Sequence, residues 1–319
     1  MSSRLMSASN AVREFVHPGA CISIGGFTIN RNPMAIVHEI IRQRIGQLHL
    51  VMHSGSQAMD LLVGAGLVDL LEIAYGANGR LAPTCVRFRR AVQEGTLRIE
   101  DYSNYQMTLR FMAGAMGAPF LPTYSGLGSD IIEKWGFDSR FRVRTPEIPL
   151  RKAVVVEDPF SREEQHVVLV PAVNPDVTII HVQKAAEDGT TRIEGLTFAD
   201  IEQARASKHV IVSCEELVSP NELRQDPWCN SLPHVIVDAV VHQPFGAHPT
   251  ACYRYYDYDM KHLEEYREIA ADDERFRDYL EHYVLGAHAF DEYLRLIGDE
   301  QLDRLRASLG LGYARRDLL

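Results

Sequence analysis

Apolar residues in this chain come in short bursts, and the early bursts each end in glycine or small polar residues. Cys21-Ile22-Ser23-Ile24 reads as a strand covered on both faces. It runs into Gly25-Gly26 and Phe27-Thr28, then into Asn32-Pro33, an N-cap followed by a first helical residue. From Pro33 to about Arg44, the residues Ile36, Val37, Ile40 and Ile41 share one helical face. Leu48–Met52 is a second strand, leaving through His53-Ser54-Gly55-Ser56. Glu72–Tyr75 is a third, leaving through Gly76-Ala77-Asn78-Gly79, and a helix over Met59–Leu71, weakened by Gly64 and Gly66, joins the two. Three such exits in a row predict one shared site at the C-terminal edge of a parallel sheet.

Further along, helices are predicted over 8–15, 84–94 and 105–114, with a strand at 97–99. Ala118–Pro122 breaks regular structure, Ser125–Asp130 is a small-residue loop, and 135–152 reads as an irregular insertion or flap. Ala153–Val156 and Val167–Val170 read as an antiparallel pair. Asp176–Val182, His209–Ser213 and His234–Val241 are further strands, and Thr197 and Asp200 open a helix that ends near Ser207. From Lys261 the pattern is helical. The alternation predicts an α/β fold: an open, mostly parallel sheet with helices on both faces and a C-terminal helical tail over about 261–319. With no low-complexity linker, residues 1–319 are expected to form a single domain.

Composition narrows the partners. A hydrophobic fraction of 46% and a charged fraction of 24% are those of an ordinary globular protein. The net charge is −10, and no basic stripe with interleaved aromatics argues for nucleic acid. Arg87-Phe88-Arg89-Arg90 reads either as an anion patch or as a solvated helix face. The five cysteines are odd in number and lack a C-x-x-C pair, which argues for a reducing compartment and against disulfides or structural zinc. Residues 1–15 lack a signal-peptide core, and no apolar run approaches the ~20 residues of a membrane span. A cytoplasmic protein without membrane contact is expected.

Most chemical motifs are excluded. Gly25-Gly26 and Gly126-Leu127-Gly128 lack the spacing of a dinucleotide fingerprint, and no P-loop is present. No serine lies in G-x-S-x-G. Cys214 reads as a buried structural thiol rather than a nucleophile. The thirteen histidines do not cluster, and His49 and His53 are four apart on a strand and its exit rather than on a helix, so no metal site is expected. His248, in a Gly/Pro turn after a strand, reads equally as a site residue or as an ordered turn residue.

Ile24-Gly25-Gly26-Phe27-Thr28 resembles the Gly-Gly-Phe signature of class I coenzyme A transferases, in particular the alpha (A) chains of the glutaconate branch. The likeness continues through Arg87-Phe88-Arg89, Glu100-Asp101-Tyr102-Ser103, Pro119-Phe120-Leu121-Pro122, Asp188-Gly189-Thr190 and Gly246-Ala247-His248-Pro249. Pro18-Gly19 and Arg31 depart from the broad signature, but basic character at Arg31 resembles the glutaconate alpha chain. The resemblance implies a CoA thioester as substrate with no permanently bound cofactor. It also implies a glutamate nucleophile, carried in S-E-N-G by a beta subunit; neither S-E-N-G nor E-N-G occurs here. This chain would then hold no catalytic residue and would act only in a heterodimer or higher αβ assembly. The site is expected to comprise Gly25, Gly26, Phe27, Arg31, Ser54, Gly55, Ser56 and Asn78, with backbone donors of Gly25–Phe27 facing an oxyanion and Arg31 facing a remote carboxylate. A ring-cleaving hydrolase branch carries a glutamate where this chain has Asn104. A decarboxylase branch, or a ligand-binding relative without activity, stays open on this chain alone.

Overall fold

Strand β1 (Cys21–Ile24) has only four residues, yet it occupies the middle of the main sheet. The computed structural model describes residues 3–134 and 136–314. The other strands are β2 (Leu48–Gly55), β3 (Val68–Gly76), β4 (Arg98–Asp101), β5 (Phe120–Thr123), β6 (Val154–Glu157), β7 (His166–Pro171), β8 (Val177–Ala186), β9 (Thr191–Arg192), β10 (His209–Val218) and β11 (Ala239–His242). Among the described residues the main sheet has eight strands, in the order β11-β10-β8-β1-β2-β3-β4, with the short β9 antiparallel on β8 and the rest parallel. The chain builds outward from β1 to β4, then returns to the other side of β1. The order therefore reverses between β1 and β8, and such a reversal opens a crevice beyond the strand ends.

Helices cover both faces. Leu48, Leu50 and Met52 point into one layer with the helices Ala8–Phe15, Met34–Arg42 and Gln57–Gly64. Val51 points the other way, onto Met107, Phe111 and Ala206 of the helices Asn104–Met116 and Asp200–Ala206. Burying one such aliphatic side chain contributes about 1.5–3 kcal/mol. The C-terminal helices Met260–Ile269, Asp273–Leu280 and Phe290–Ile297 put Tyr266, Phe276 and Tyr293 into the first layer, so the tail shares the main core. Arg87 and Arg90 of the helix Val86–Glu94 pair with Asp273 at 2.6 Å, which makes that cluster a tie to the tail. No helix of the described residues is long and apolar enough to cross a membrane.

Several boundaries differ from expectation. The helix over 59–71 is two elements, Gln57–Gly64 and then β3 from Val68, because the chain turns at Gly66 with φ +71°. Phe120–Thr123 is an edge strand of a separate antiparallel sheet, β5-β7-β6; Pro122 is tolerated because an edge needs no donor on its outer side. The supposed flap contains a helix, Ser139–Arg144, while its first residue, Trp135, lies outside the described residues, as do 315–319. Only Ala239–His242 of the last predicted strand pairs, since 233–236 form a turn closed by Ile236 N–H on the Pro233 carbonyl.

Candidate active site

At the end of β1 the Gly25 N–H extends the ladder to the Ile179 carbonyl at 2.9 Å, and the Gly26 N–H donates to Asp200 Oδ1 at 2.8 Å. Gly26 has φ +84°, and a Cβ there would lie 2.5 Å from the Asn30 carbonyl oxygen. A Cβ on Gly25 would lie 2.6 Å from Ile180 and 2.9 Å from Asp200 Oδ1. The loop then closes on itself, with Phe27 and Asn30 exchanging backbone hydrogen bonds of 2.9 and 3.0 Å. The three backbone donors expected to face an oxyanion, those of Gly25, Gly26 and Phe27, are thus already committed inside the chain. Here the glycines act through their missing side chains.

Arg31 is 2% exposed. Its Nη1 donates to Asp200 Oδ2 at 2.6 Å and to the His181 carbonyl at 3.0 Å, and its Nη2 to the Leu196 carbonyl at 2.9 Å. The fork expected to receive a substrate carboxylate is therefore filled by Asp200 and two carbonyls. Thr28, Arg31 and Phe198 all hold positive φ, at 49°, 51° and 51°. Left-handed backbone at non-glycine residues costs of order 1–3 kcal/mol each and gathers at functional sites.

The β2 and β3 exits join this loop. The Phe27 ring stacks on Phe198 with centroids 4.8 Å apart and tilts against His53 at 5.7 Å. Ser54 Oγ lies 3.0 Å from His53 Nδ1 and 3.5 Å from Asn104 Oδ1. Burial pushes the His53 imidazole below its usual value, against a pull from Asp200, so the ring is neutral at pH 7. Ser56 Oγ reaches the Thr28 carbonyl and, at 2.7 Å, Asn32 Oδ1. Asn32 does not cap its own helix, which starts at Met34; its Oδ1 accepts the Ala58 N–H at 3.1 Å and so caps the next one. Gly55 has no room for a side chain: a Cβ would lie 2.6 Å from Met59 Sδ. Asn78 Nδ2 donates to Gln57 Oε1 at 3.0 Å, beside Ser56. The eight expected residues thus form one connected rim at the sheet's C-terminal edge.

Beside the rim is a cavity of about 450 Å³, walled by Phe27, Thr28 and Arg31 on one side and Glu194, Leu196 and Phe198 on the other, with Tyr253 and Tyr313. Its carboxylate, Glu194, is held by Arg254 at 2.8 Å, and the neighbouring Asp200 is 0% exposed and bonded through both oxygens. Behind Arg31 lie His181, Glu215 and Cys252, a grouping with metal-ligand spacing among the described residues. His181 Nε2 is 2.6 Å from Glu215 Oε1, Ser213 meets its Nδ1, and Tyr256 donates to the same carboxylate, so the group is a hydrogen-bonded network. His248 lies outside the rim, buried between Tyr293 (2.6 Å) and Asp259 (3.2 Å), which settles it as a structural residue.

A strand-glycine-helix crevice at a reversal point, lined by an aromatic pair, admits many ligands. The comparisons decide the family: residues 5–243 match the model of the coenzyme A transferase family. The chain belongs to that family. It is 39% identical over 311 residues to the A-subunit of glutaconate CoA-transferase from Acidaminococcus fermentans, covering 98% of this chain and 97% of that one. It is 33% identical to the A-subunit of 3-oxoadipate CoA-transferase from Pseudomonas knackmussii, covering 92% and 98%. The crystal structure of glutaconate CoA-transferase superposes with a TM-score of 0.95 over 99% of both chains. The protein is accordingly an alpha-type chain of a CoA-transferase, with an open, mostly parallel sheet. Asp200, Phe198 and His53, which join this candidate rim together, escaped the sequence reading. Asp200 looked like a helix-opening residue, and its partner Gly26 is 174 positions away.

Proposed function

We propose that this chain is the alpha component of a heteromeric CoA-transferase that moves CoA between an acyl-CoA and a short dicarboxylic acid, with a beta-type partner supplying the attacking glutamate. The observation that carries the reading is a rim suited to a thioester whose nearby carboxylates, Asp200 and Glu194, are both engaged inside the chain. A carboxylate nucleophile must be free to form an anhydride with the acyl group and then a thioester with CoA. Its arrival from a second chain fits the relatives, which are named as one lettered component of a larger enzyme, and both acids in those names carry two carboxylates.

In this reading Gly25, Gly26 and Phe27 let the thioester approach, and Phe27 with Phe198 forms its apolar wall. Ser54 and Gly55 border the acyl end. Arg31, Ser56 and Asn78 are positioning residues: Arg31 fixes Asp200, Ser56 ties the β2 exit to the β1 loop, and Asn78 ties in the β3 exit. Asn104, beside Ser54, stands where the hydrolase branch has its glutamate, which favours transfer over hydrolysis. The complex works in the cytoplasm, where unpaired cysteines stay reduced.

The test is to purify the chain alone and with a beta-type partner, and to assay CoA exchange between glutaconyl-CoA and acetate. Activity is expected only from the complex, and mass spectrometry after exposure to acyl-CoA should place covalent CoA on the partner. Steady turnover by the isolated chain, or CoA bound covalently to it, would overturn the proposal.

A further inference from the structure

The cavity beside the rim is completed from the far end of the chain. Tyr253 lies in the loop after β11, and Tyr313 in a C-terminal turn closed by the Ser308 N–H on the Tyr313 carbonyl at 3.0 Å. The Arg254 N–H donates to the Gly312 carbonyl at 2.7 Å, and the two tyrosine rings meet with centroids 5.2 Å apart. Gly312 has φ +71°, and a Cβ there would run into the Tyr253 ring. The C-terminal turn is thus seated on Tyr253 and shares a cavity with the β1 loop. Its volume of about 450 Å³ lies in the ~300–1,000 Å³ range of small-molecule sites.

An incoming carboxylate finds no free positive charge among the residues lining this cavity. Arg31 is the one cation among them, and Asp200 with two carbonyls fills its fork. Glu194, the one acid, is held by Arg254 at 2.8 Å. The cavity does offer hydroxyl groups. Those of Tyr253 and Tyr313, and that of Thr28 beside the glycine loop, have no hydrogen-bond partner among the described residues. Burial first, then Asp257 and Tyr253, raises the Tyr313 phenol above its usual value, against a pull from Arg31, so it keeps its proton at neutral pH and donates.

Resting on the transferase reading above, we propose that the Tyr253 and Tyr313 hydroxyls bind the remote carboxylate of the dicarboxylic acid, the role expected of Arg31. The acyl carbon reacts at the glycine loop, whose Phe27 and Thr28 form the near side of the cavity. The acid's chain then runs along the wall of Phe27 and Phe198 and ends at the tyrosines. Thr28 stands at the reacting end and takes no part in holding the remote one. An O–H donating to a carboxylate makes a short bond about twice as strong as one between neutral groups. Two such donors recognise an anion without a buried cation. A monocarboxylic acid of the same length leaves both hydroxyls facing a methyl group, and a site built to bond a polar group rejects the analogue that lacks it.

The experiment uses the chain assembled with its beta-type partner, acetyl-CoA as donor, and glutarate or pentanoate as acceptor, acids of one length with two carboxylates and one. Tyr253→Phe and Tyr313→Phe keep the rings and remove only the hydroxyls. Each should raise KM for glutarate at least about tenfold, and the double variant further, while KM for pentanoate moves by less than about twofold. Equal changes for the two acids, as a merely structural role would give, or no change for glutarate, would overturn the proposal. If the unaltered complex passes CoA to neither acid, the transferase reading falls and this proposal with it. The unaltered complex therefore tells the two failures apart.

Discussion

Asp200 uses one oxygen to hold the backbone of the glycine loop and the other to neutralise Arg31, so a single side chain sets the position of the β1 exit. Arg31→Ala leaves that carboxylate buried and unpaired, and breaking a buried pair costs about 3–5 kcal/mol. The variant should therefore unfold earlier in denaturant. In the assembled enzyme it should lower kcat/KM for mono- and dicarboxylate acceptors alike, because the guanidinium acts through Asp200; a selective loss of dicarboxylates would restore it as a substrate ligand. Gly25→Ala tests the same spot from the other side. Its methyl would press on Ile180 and Asp200 Oδ1, a strain of about 1–3 kcal/mol, and activity should fall by more than stability alone explains, as paired assay and denaturation measurements would show.

Among the elements, Asn32 caps a helix that is not its own. Asn32→Ala should cost about 1 kcal/mol through the loss of the Ala58 cap, read as a lower denaturation midpoint, and should loosen the junction between the first two exits. The sequence showed the strand-glycine exits clearly because β1, β2 and the end of β3 carry local signals: apolar runs cut off by Gly25-Gly26, Ser54-Gly55-Ser56 and Asn78-Gly79. Met59–Leu71 misled because its apolar residues suit a helix and a strand equally, and only the turn at Gly66 separates them. β5 was hidden by Pro122, which is compatible with an edge and with nothing deeper. Asp200, Phe198 and His53 were illegible as site residues for a different reason. Asp200 and Phe198 meet Gly26 and Phe27 because β8 lies beside β1, and His53 meets Phe27 because β2 lies on its other side; spacing along the chain carries no trace of either contact.

For the molecule as a whole, the C-terminal core holds histidines that stay neutral. Burial, with the neighbouring His248 as a lesser cause, lowers His262 to about 3; burial, with Arg42 and the neighbouring histidines, lowers His38 well below 6.5. Below their unfolded value these groups take up protons only in the unfolded chain. Stability should therefore be full above about pH 6.5 and fall as pH drops, by up to about 1.4 kcal/mol per unit for each group. Asp259, held at about 2 against the cost of burial by His248 and His262, adds a further loss below its ordinary carboxylate range. Denaturation midpoints measured from neutral pH into acid should trace this decline, and His262→Gln should make it shallower.

The tie between Gly26 and Asp200 also bears on how the working molecule comes into being. Its two ends are made at very different times on the ribosome, and neither has a pocket without the other. A chain severed in the exposed turn around Phe160, which is 92% accessible, would yield one piece with the glycine loop and one with Asp200. Each piece alone, mixed with the proposed beta-type partner, should show no exchange activity. Co-expressed, the two should re-form the missing wall between them and regain exchange activity, a split-protein complementation that a site confined to the first eighty residues or so would not require.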